Sequence, residues 1–455
     1  MINAVGMITA LNDNGKRNFL ITTVALGILL NPLNSSMIAV ALSRIREDFQ
    51  LTFADTSWLV STYYLTSAIG QPIMGKLGDL YGRKRLFLLG LAMVFIASIL
   101  APLSPNFGWL LFFRIIQSWG SATIFPSAMG IVRNMITTRQ ASALGALSIF
   151  SSLSVAFGPS IGGFLLYYGD WPAIFLINFP ISIVSFLLAL KLIQNDPPFQ
   201  VKTIKLDLWG ISLFSAMTMS WVGFLITLAS NVNWWLLVAS VLFTLFFYRF
   251  ETRVHEPFVD VLALKKNMTV SLIYLQNLLF NLMVYTVLFG TPAYLLDIVK
   301  LSTKDTGLIM LALGVFGIVS ATIAGRWVDQ SGSKPVLLAG SFIILIGQFL
   351  LLTIHTSSYP IWIFLVLSII GFSYSFFNLS FQTALYSFIP REETGIATGL
   401  LKTAQYVGSI LSSGMLGLLF GTNISTENFH IFALMNALIA LCLLAITIRM
   451  PNATR

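Results

Sequence analysis

The sequence predicts an all-α polytopic membrane protein: two six-helix halves with two further helices inserted between them. Three observations predict it. The 455 residues are 56% hydrophobic and 9% charged, with mean hydropathy +0.85, whereas a soluble domain carries about 25% charged residues. Apolar runs long enough to cross a bilayer, about 20 residues each, recur along the whole chain. And one polar segment occurs twice, as GKLGDLYGRKR after the second run and as GRWVDQSGSKP after the tenth.

The runs, in order, are 18–42, 57–76, 86–103, 108–132, 142–167 and 171–192 for the first half. The inserted pair is 207–229 and 233–250. The second half has 268–296, 306–328, 334–354, 360–388, 395–421 and 429–449. The boundaries are therefore 1–195 for the first half, 196–267 for the inserted pair and linker, and 268–455 for the second half. The first run is too long for the apolar core of a signal peptide, although AVA at 39–41 resembles a cleavage site. Between the eighth and ninth runs, HEPFVDVLALKKN predicts a short amphipathic helix on the membrane surface.

The repeat justifies the pairing of the halves. Gly75, Asp79, Gly82 and Lys84 in the first copy match Gly325, Asp329, Gly332 and Lys334 in the second, at an offset of 250 residues. Two such copies are expected when an axis along the membrane normal relates two halves. Gly75 and Gly78 let helix backbones approach, and Gly82 suits a tight turn. Asp79 is a carboxylate among cations; its expected partners are Arg83 and Arg133, in an ion pair that latches one state and releases in another.

The net charge of +9 does not point to nucleic acid, because there is no basic arm and no interleaved aromatic patch. With both termini inside, twenty basic residues fall in inner loops and tails and four fall outside: Arg44, Arg46, Lys300 and Lys304. This is the positive-inside pattern and supports an even number of spans with internal termini. Cys442 is the single cysteine, and His255, His355 and His430 are scattered. The sequence therefore leads us to expect no disulfide within the chain, no metal centre, no cofactor and no enzyme.

Two cations lie inside runs, Arg114 and Lys402. An arginine at the centre of a membrane helix costs roughly 2.5 kcal/mol or more and marks a functional site by default. Polar stripes accompany them. Asn31 and Asn34 lie in the first run, and Gln117 lies one turn beyond Arg114. Asn277 and Asn281 share a face of the ninth run, Tyr374 and Asn378 one of the twelfth, and Lys402, Gln405 and Tyr406 one of the thirteenth. These are the expected lining of a polar central cavity.

Three motifs in order carry a family resemblance. GKLGDLYGRKR resembles the signature loop G-x-L-x-D-x-x-G-R-K/R, and RIIQSWGSA resembles the fourth-span R-x-x-Q-G-x-G with Ser118 for the first glycine. SVAFGPSIGG resembles the fifth-span antiporter motif G-x-x-x-G-P-x-x-G-G, with Ser154 for the leading glycine. The chain thus resembles the major facilitator superfamily, in particular its fourteen-span drug:proton antiporters. The resemblance implies multidrug-type efflux driven by the proton gradient, in the inner membrane of a bacterium. It implies a hinge at Gly158, Pro159, Gly162 and Gly163, where the pattern is expected to break regular helix bonding.

One departure matters. Where the family's first span usually carries an aspartate, this chain has Asn34, and no acidic residue lies near the middle of any run. With two interior cations and no anion, an anionic or zwitterionic amphiphile is the expected substrate. The candidates for proton coupling become Lys402 and the edge carboxylates Asp55 and Asp297. A lipid or lipid-precursor flippase and an uptake symporter share the same fold and stand as alternatives. The lipid bilayer is the expected partner, no nucleic acid binds, and the chain is expected to be a monomer.

Overall fold

The structure, a computed structural model, describes residues 13–51, 53–136, 139–196, 207–227, 232–255, 257–420 and 424–451. Chain contacts separate two units, Met1–Gln200 and Val201–Arg455. The inserted pair belongs with the second. Regular structure among the described residues is helical throughout, as the bilayer demands of any open chain that must satisfy its own backbone.

The first unit contains α1 (Asp13–Asp48), α2 (Phe53–Tyr81), α3 (Arg83–Leu100), α4 (Phe107–Met135), α5 (Gln140–Leu176) and α6 (Asn178–Leu192). Its principal pairings are α1 on α5, α2 on α4, α3 on α4 and α3 on α6. Pro32, Pro72 and Pro126 sit inside α1, α2 and α4 without ending them, because packed neighbours resatisfy freed carbonyls. Asn106 caps α4 by accepting from the Trp109 N–H at 3.1 Å. A core of Leu33, Met37, Ile45, Leu59, Trp171 and Phe175 closes one end of the unit.

The second unit contains the inserted α7 (Leu208–Thr227) and α8 (Trp234–Glu251), then α9 (Val261–Lys266) in the place of the expected surface helix. It continues with α10 (Met268–Asp297), α11 (Thr303–Ser331), α12 (Ser333–Leu351), α13 (Pro360–Phe388), α14 (Thr394–Phe420) and α15 (Thr426–Arg449). Here α10 packs on α14, α11 on α13, α12 on α13 and α12 on α15. These are the pairings of the first unit, helix for helix. The inserted α7 and α8 pack on each other, and α7 also touches α14.

The repeated polar segment has the same local form in both units. Gly82 (φ 108) is the single residue between α2 and α3, and Gly332 (φ 82) the single residue between α11 and α12. Both need the positive φ that glycine adopts freely. Gly82 has a second reason: a Cβ there would run into the Asp196 side chain.

Among the described residues, ten segments are long and apolar enough to cross a membrane. α2, α4 and α14 are not among them. All three are rich in Ser, Thr and Gly, and α4 and α14 carry the interior cations. Their small and polar residues are those that let helices pack closely in lipid.

One expectation is corrected. α5 stays helical through Gly158, Pro159, Gly162 and Gly163. Its non-helical residue is Asp170, at φ 56 and ψ −172. The glycines serve close approach instead. A Cβ on Gly158 would collide with the Ser36 side chain, and one on Gly162 would sit 3.1 Å from the Met37 carbonyl oxygen. Gly163 faces open space.

Candidate functional site

Arg114 is 1% exposed and lies on the second turn of α4. Its Nη2 donates to the Asn34 carbonyl at 3.0 Å and its Nη1 to Gln117 Oε1 at 2.6 Å. The guanidinium lies over the Tyr63 ring, 4.2 Å from its centroid, a cation–π contact strengthened by the absence of water. A backbone carbonyl has two lone pairs, so the Asn34 carbonyl can accept from Arg114 beside a helical bond; in the same turn the Ser35 and Ser36 hydroxyls both donate to the Pro32 carbonyl.

Asn34 is the hub. Its Oδ1 accepts from Gln117 Nε2 at 3.1 Å and from Asn178 Nδ2 at 2.8 Å. Asn34, Gln117 and Asn178 are all at most 1% exposed. Asn178 is the residue that sequence reasoning missed. It stands alone in the apolar stretch FLINFPI, and an isolated polar residue there was the available signal. The cluster joins α1, α2, α4 and α6 around one cation. The ion pairs Arg44–Glu47, Arg44–Asp170 and Arg83–Asp79 do not involve Arg114. Neutral dipoles and an aromatic face hold its charge.

The signature loop is a second built site. Arg83 Nη2 lies 3.0 Å from Asp79 Oδ1, and its Nη1 donates to the Gly130 carbonyl at 3.0 Å, so one guanidinium binds α2 and α4. Both side chains of the pair are nearly buried. Lys84 donates from Nζ to the carbonyls of Ile193 (2.7 Å) and Leu190 (3.0 Å) and to Asn195 Oδ1 (2.9 Å), closing the end of α6. Asp196 reciprocates by accepting from the backbone N–H groups of Lys84 and Arg85. Arg133 is buried near the end of α4, with its carbonyl bonded to Gln140. In the second copy, Asp329 and Gly325 lie on the last turns of α11, Asp329 exposed and Gly325 buried. Lys334 Nζ donates to the Met450 carbonyl at 2.5 Å.

The second unit holds the other polar stripes. Asn277 donates to the Leu401 carbonyl at 2.6 Å, and Asn281 spends its amide on the Asn277 carbonyl at 2.8 Å. Gly408 on α14 meets the backbone of Leu278, which lets the two helices touch. Lys402 Nζ donates to Gln405 Oε1 at 2.7 Å, and Tyr406 is buried on the same helix. Asn378 bonds the Tyr374 carbonyl at 3.2 Å, and the Tyr374 ring tilts against Phe280. Asn31 is half-buried in α1, its carbonyl 3.4 Å from the Tyr63 hydroxyl. Asp297 is exposed at the end of α10. The side chains of Asp55 and Pro159 lie outside the described ones.

A helical bundle of two repeats, with a buried cation on the fourth helix and a glycine-turned loop after the second, defines a membrane transporter of one architecture. The profile of the Major Facilitator Superfamily matches residues 24–413 and again 273–452, and the chain belongs to that family. It is 42% identical over 422 residues to the uncharacterized MFS-type transporter YwoD of Bacillus subtilis (strain 168), covering 92% of this chain and 93% of that one. It is 28% identical to the riboflavin transporter RibZ of Clostridioides difficile (strain 630), covering 88% of each chain. It is also 28% identical to the tetracenomycin C resistance and export protein of Streptomyces glaucescens, covering 88% of this chain and 75% of that one. Among solved structures, the human organic anion transporter MFSD10 has the same fold, with TM-score 0.69, 14% identity and coverage of 95% and 99%.

Proposed function

We propose that the chain is a fourteen-span, proton-driven exporter of a small amphipathic compound. It works by alternating access in the cytoplasmic membrane of a bacterium, with both termini inside. The observation that carries export is the contact of Gly158 and Gly162 with Ser36 and Met37 on α1. The antiporter motif is spent on a close interface with the helix that also carries Asn34. The S. glaucescens relative, named for resistance and export, points the same way.

The substrate is an anionic or zwitterionic amphiphile. Arg114 and Lys402 are the interior cations, and both are held by neutral amides. Lys402 carries the coupling proton, with Asp55 and Asp297 as the alternatives. A second reading, an uptake symporter of the same fold, has one support: the C. difficile relative is named a riboflavin transporter, which favours a metabolite over a drug as the substrate.

Inside-out vesicles loaded with the protein decide between them. Uptake of a labelled amphiphilic acid that needs an imposed pH gradient, acid inside, supports proton-driven export. Accumulation that ignores the gradient overturns it. Efficient transport of a permanently cationic dye overturns the substrate charge. Loss of pH-driven transport in both Lys402→Gln and Lys402→Arg assigns the proton to Lys402; wild-type behaviour in either moves it to an edge carboxylate.

A further inference from the structure

The sequence scatters its histidines, but the fold brings two of them together. The rings of His355 and His430 lie with centroids 5.0 Å apart at an interplanar angle of 86°. They come from different elements of the second unit, at the end of the bundle opposite the Gly332 turn. His355 follows α12, and His430 is on the second turn of α15.

Both are held on rigid supports. After α12 the chain makes tight turns that end at Ile354, which is fully buried. The His355 N–H then donates to Ser358 Oγ at 2.8 Å and the Ser358 N–H to the His355 carbonyl at 3.0 Å. The Trp362 indole N–H fixes Thr353 from α13 at 2.9 Å. On the other side, Ser425 caps α15 through the Asn428 N–H, and buried Phe429 stacks on Tyr294 at 4.1 Å.

The hydrogen bond of His430 sets its chemistry. Its Nε2 lies 2.9 Å from the Ile354 carbonyl oxygen. A carbonyl only accepts, so Nε2 carries the proton and the neutral ring keeps its lone pair on Nδ1. A ring N–H donated to a backbone carbonyl is the usual outer-shell support of a metal-binding histidine. His355 is exposed, so its ring is open to solvent.

The centroid spacing matches that of two imidazoles on one ion. With metal–nitrogen bonds of about 2.0–2.1 Å and ring centres roughly 1.15 Å further out, two imidazoles at a tetrahedral angle have centroids about 5.2 Å apart. The observed separation is 5.0 Å. We propose that His355 and His430 bind one divalent ion of the imidazole-preferring class, Zn²⁺, Ni²⁺ or Cu²⁺, clipping the α12–α13 connection to α15. Among the described residues no third His, Cys, Asp or Glu joins them, so water fills the remaining positions. Affinity is therefore modest, and hard ions such as Mg²⁺ and Ca²⁺, which need oxygen cages, are not held.

The test uses the full-length protein, purified without a histidine tag and titrated with Zn²⁺ against a chromophoric chelator. One equivalent binds the wild type in the micromolar range. His355→Ala and His430→Ala each weaken binding at least about tenfold, and His255→Ala leaves it unchanged. Because His355 is exposed, its variant folds. Cu²⁺ in place of Zn²⁺ gives a spin-resonance spectrum with two coupled nitrogens, reduced to one in His355→Ala. No saturable Zn²⁺ binding below millimolar concentration overturns the site, and so does equal binding by wild type and His355→Ala. In either case the ring contact is packing only.

Discussion

The ammonium of Lys84 lies 2.7 Å from the carbonyl oxygen of Ile193, at the far end of its own half of the chain. Lys334, its equivalent in the second copy of the repeat, reaches the Met450 carbonyl in the same way. In each unit the base of the repeated segment closes the last helix. The last carbonyls of a helix have no partner inside it, and a cation there also meets the negative end of the helix dipole. The conspicuous lysines of the signature are thus explained within each unit as structural clasps.

Lys84→Met is therefore expected to lower stability by about 2 kcal/mol, the cost of charge-assisted hydrogen bonds lost from a largely buried group. Lys84→Arg keeps the charge but not the compact donor, and retains part of it. Thermal unfolding of the purified protein reads both. A Lys84→Met protein as stable as the wild type refutes the clasp.

Asp79 has a different task. It binds Arg83, which also holds Gly130 on α4. Asp79→Asn keeps an acceptor of the same shape and removes the charge. We expect normal insertion and folding with transport reduced more than tenfold. Flux measured in vesicles at matched protein levels checks this, and an active Asp79→Asn protein would leave the pair without a role in the cycle.

Arg114 loses its forked geometry in Arg114→Lys and its charge in Arg114→Met. A point-charge ammonium cannot serve the Asn34 carbonyl, Gln117 and the Tyr63 face at once. Transport falls more than tenfold in both. Stability separates them: Arg114→Met is the more stable of the two, because it leaves no buried charge to be held. The reverse order of melting temperatures contradicts the account of how the cation is borne. Asn34→Leu strips the acceptor from the Gln117 amide, at a cost of about 1–3 kcal/mol, whereas Asn178 keeps the carbonyls of Ile174 and Phe175.

Much of this was legible in the sequence. The apolar runs marked the helices, and the glycine–aspartate–glycine–base repeat marked the tight turn at Gly82. Arg114 was visible because a charge in lipid is anomalous whatever surrounds it. What was not legible depends on long-range partners. Nothing near Asp196 in the sequence says that it caps α3, and nothing near Asn178 says that it shares Asn34 with Gln117. The expected break at Gly158–Gly163 failed for a related reason. Glycine permits a kink and also permits contact, and only the presence of Ser36 and Met37 opposite decides for contact. Gly158→Ala should accordingly reduce both stability and transport, and Ser36→Gly should restore a substantial part. No rescue in the double variant would return the motif to a hinge.

The break in α5 belongs to Asp170, a non-glycine residue at φ 56 and ψ −172. That region is essentially reserved for glycine and costs on the order of 1–3 kcal/mol for other residues. Several contacts hold it there. Arg44 Nε donates to both carboxylate oxygens at 3.1 Å, and Asp170 Oδ1 accepts from the Trp171 N–H at 2.7 Å. Trp171 in turn donates its indole N–H to Asp48 on α1. The same pair raises the pKa of Arg44, first through its hydrogen bond to Asp170 and then through the one to Glu47, so the cation persists at every accessible pH. Both side chains of the Arg44–Asp170 pair are nearly half exposed, and water screens the pair, which leaves it worth little by itself. The backbone strain is not screened. Asp170→Ala keeps the strain and loses every side-chain bond; Asp170→Gly loses the same bonds and relieves the strain. Asp170→Gly is therefore expected to be the more stable variant, by about 1 kcal/mol or more. Unfolding of the two proteins side by side measures it. An Asp170→Ala protein at least as stable as Asp170→Gly would mean that the chain there does not hold the conformation described.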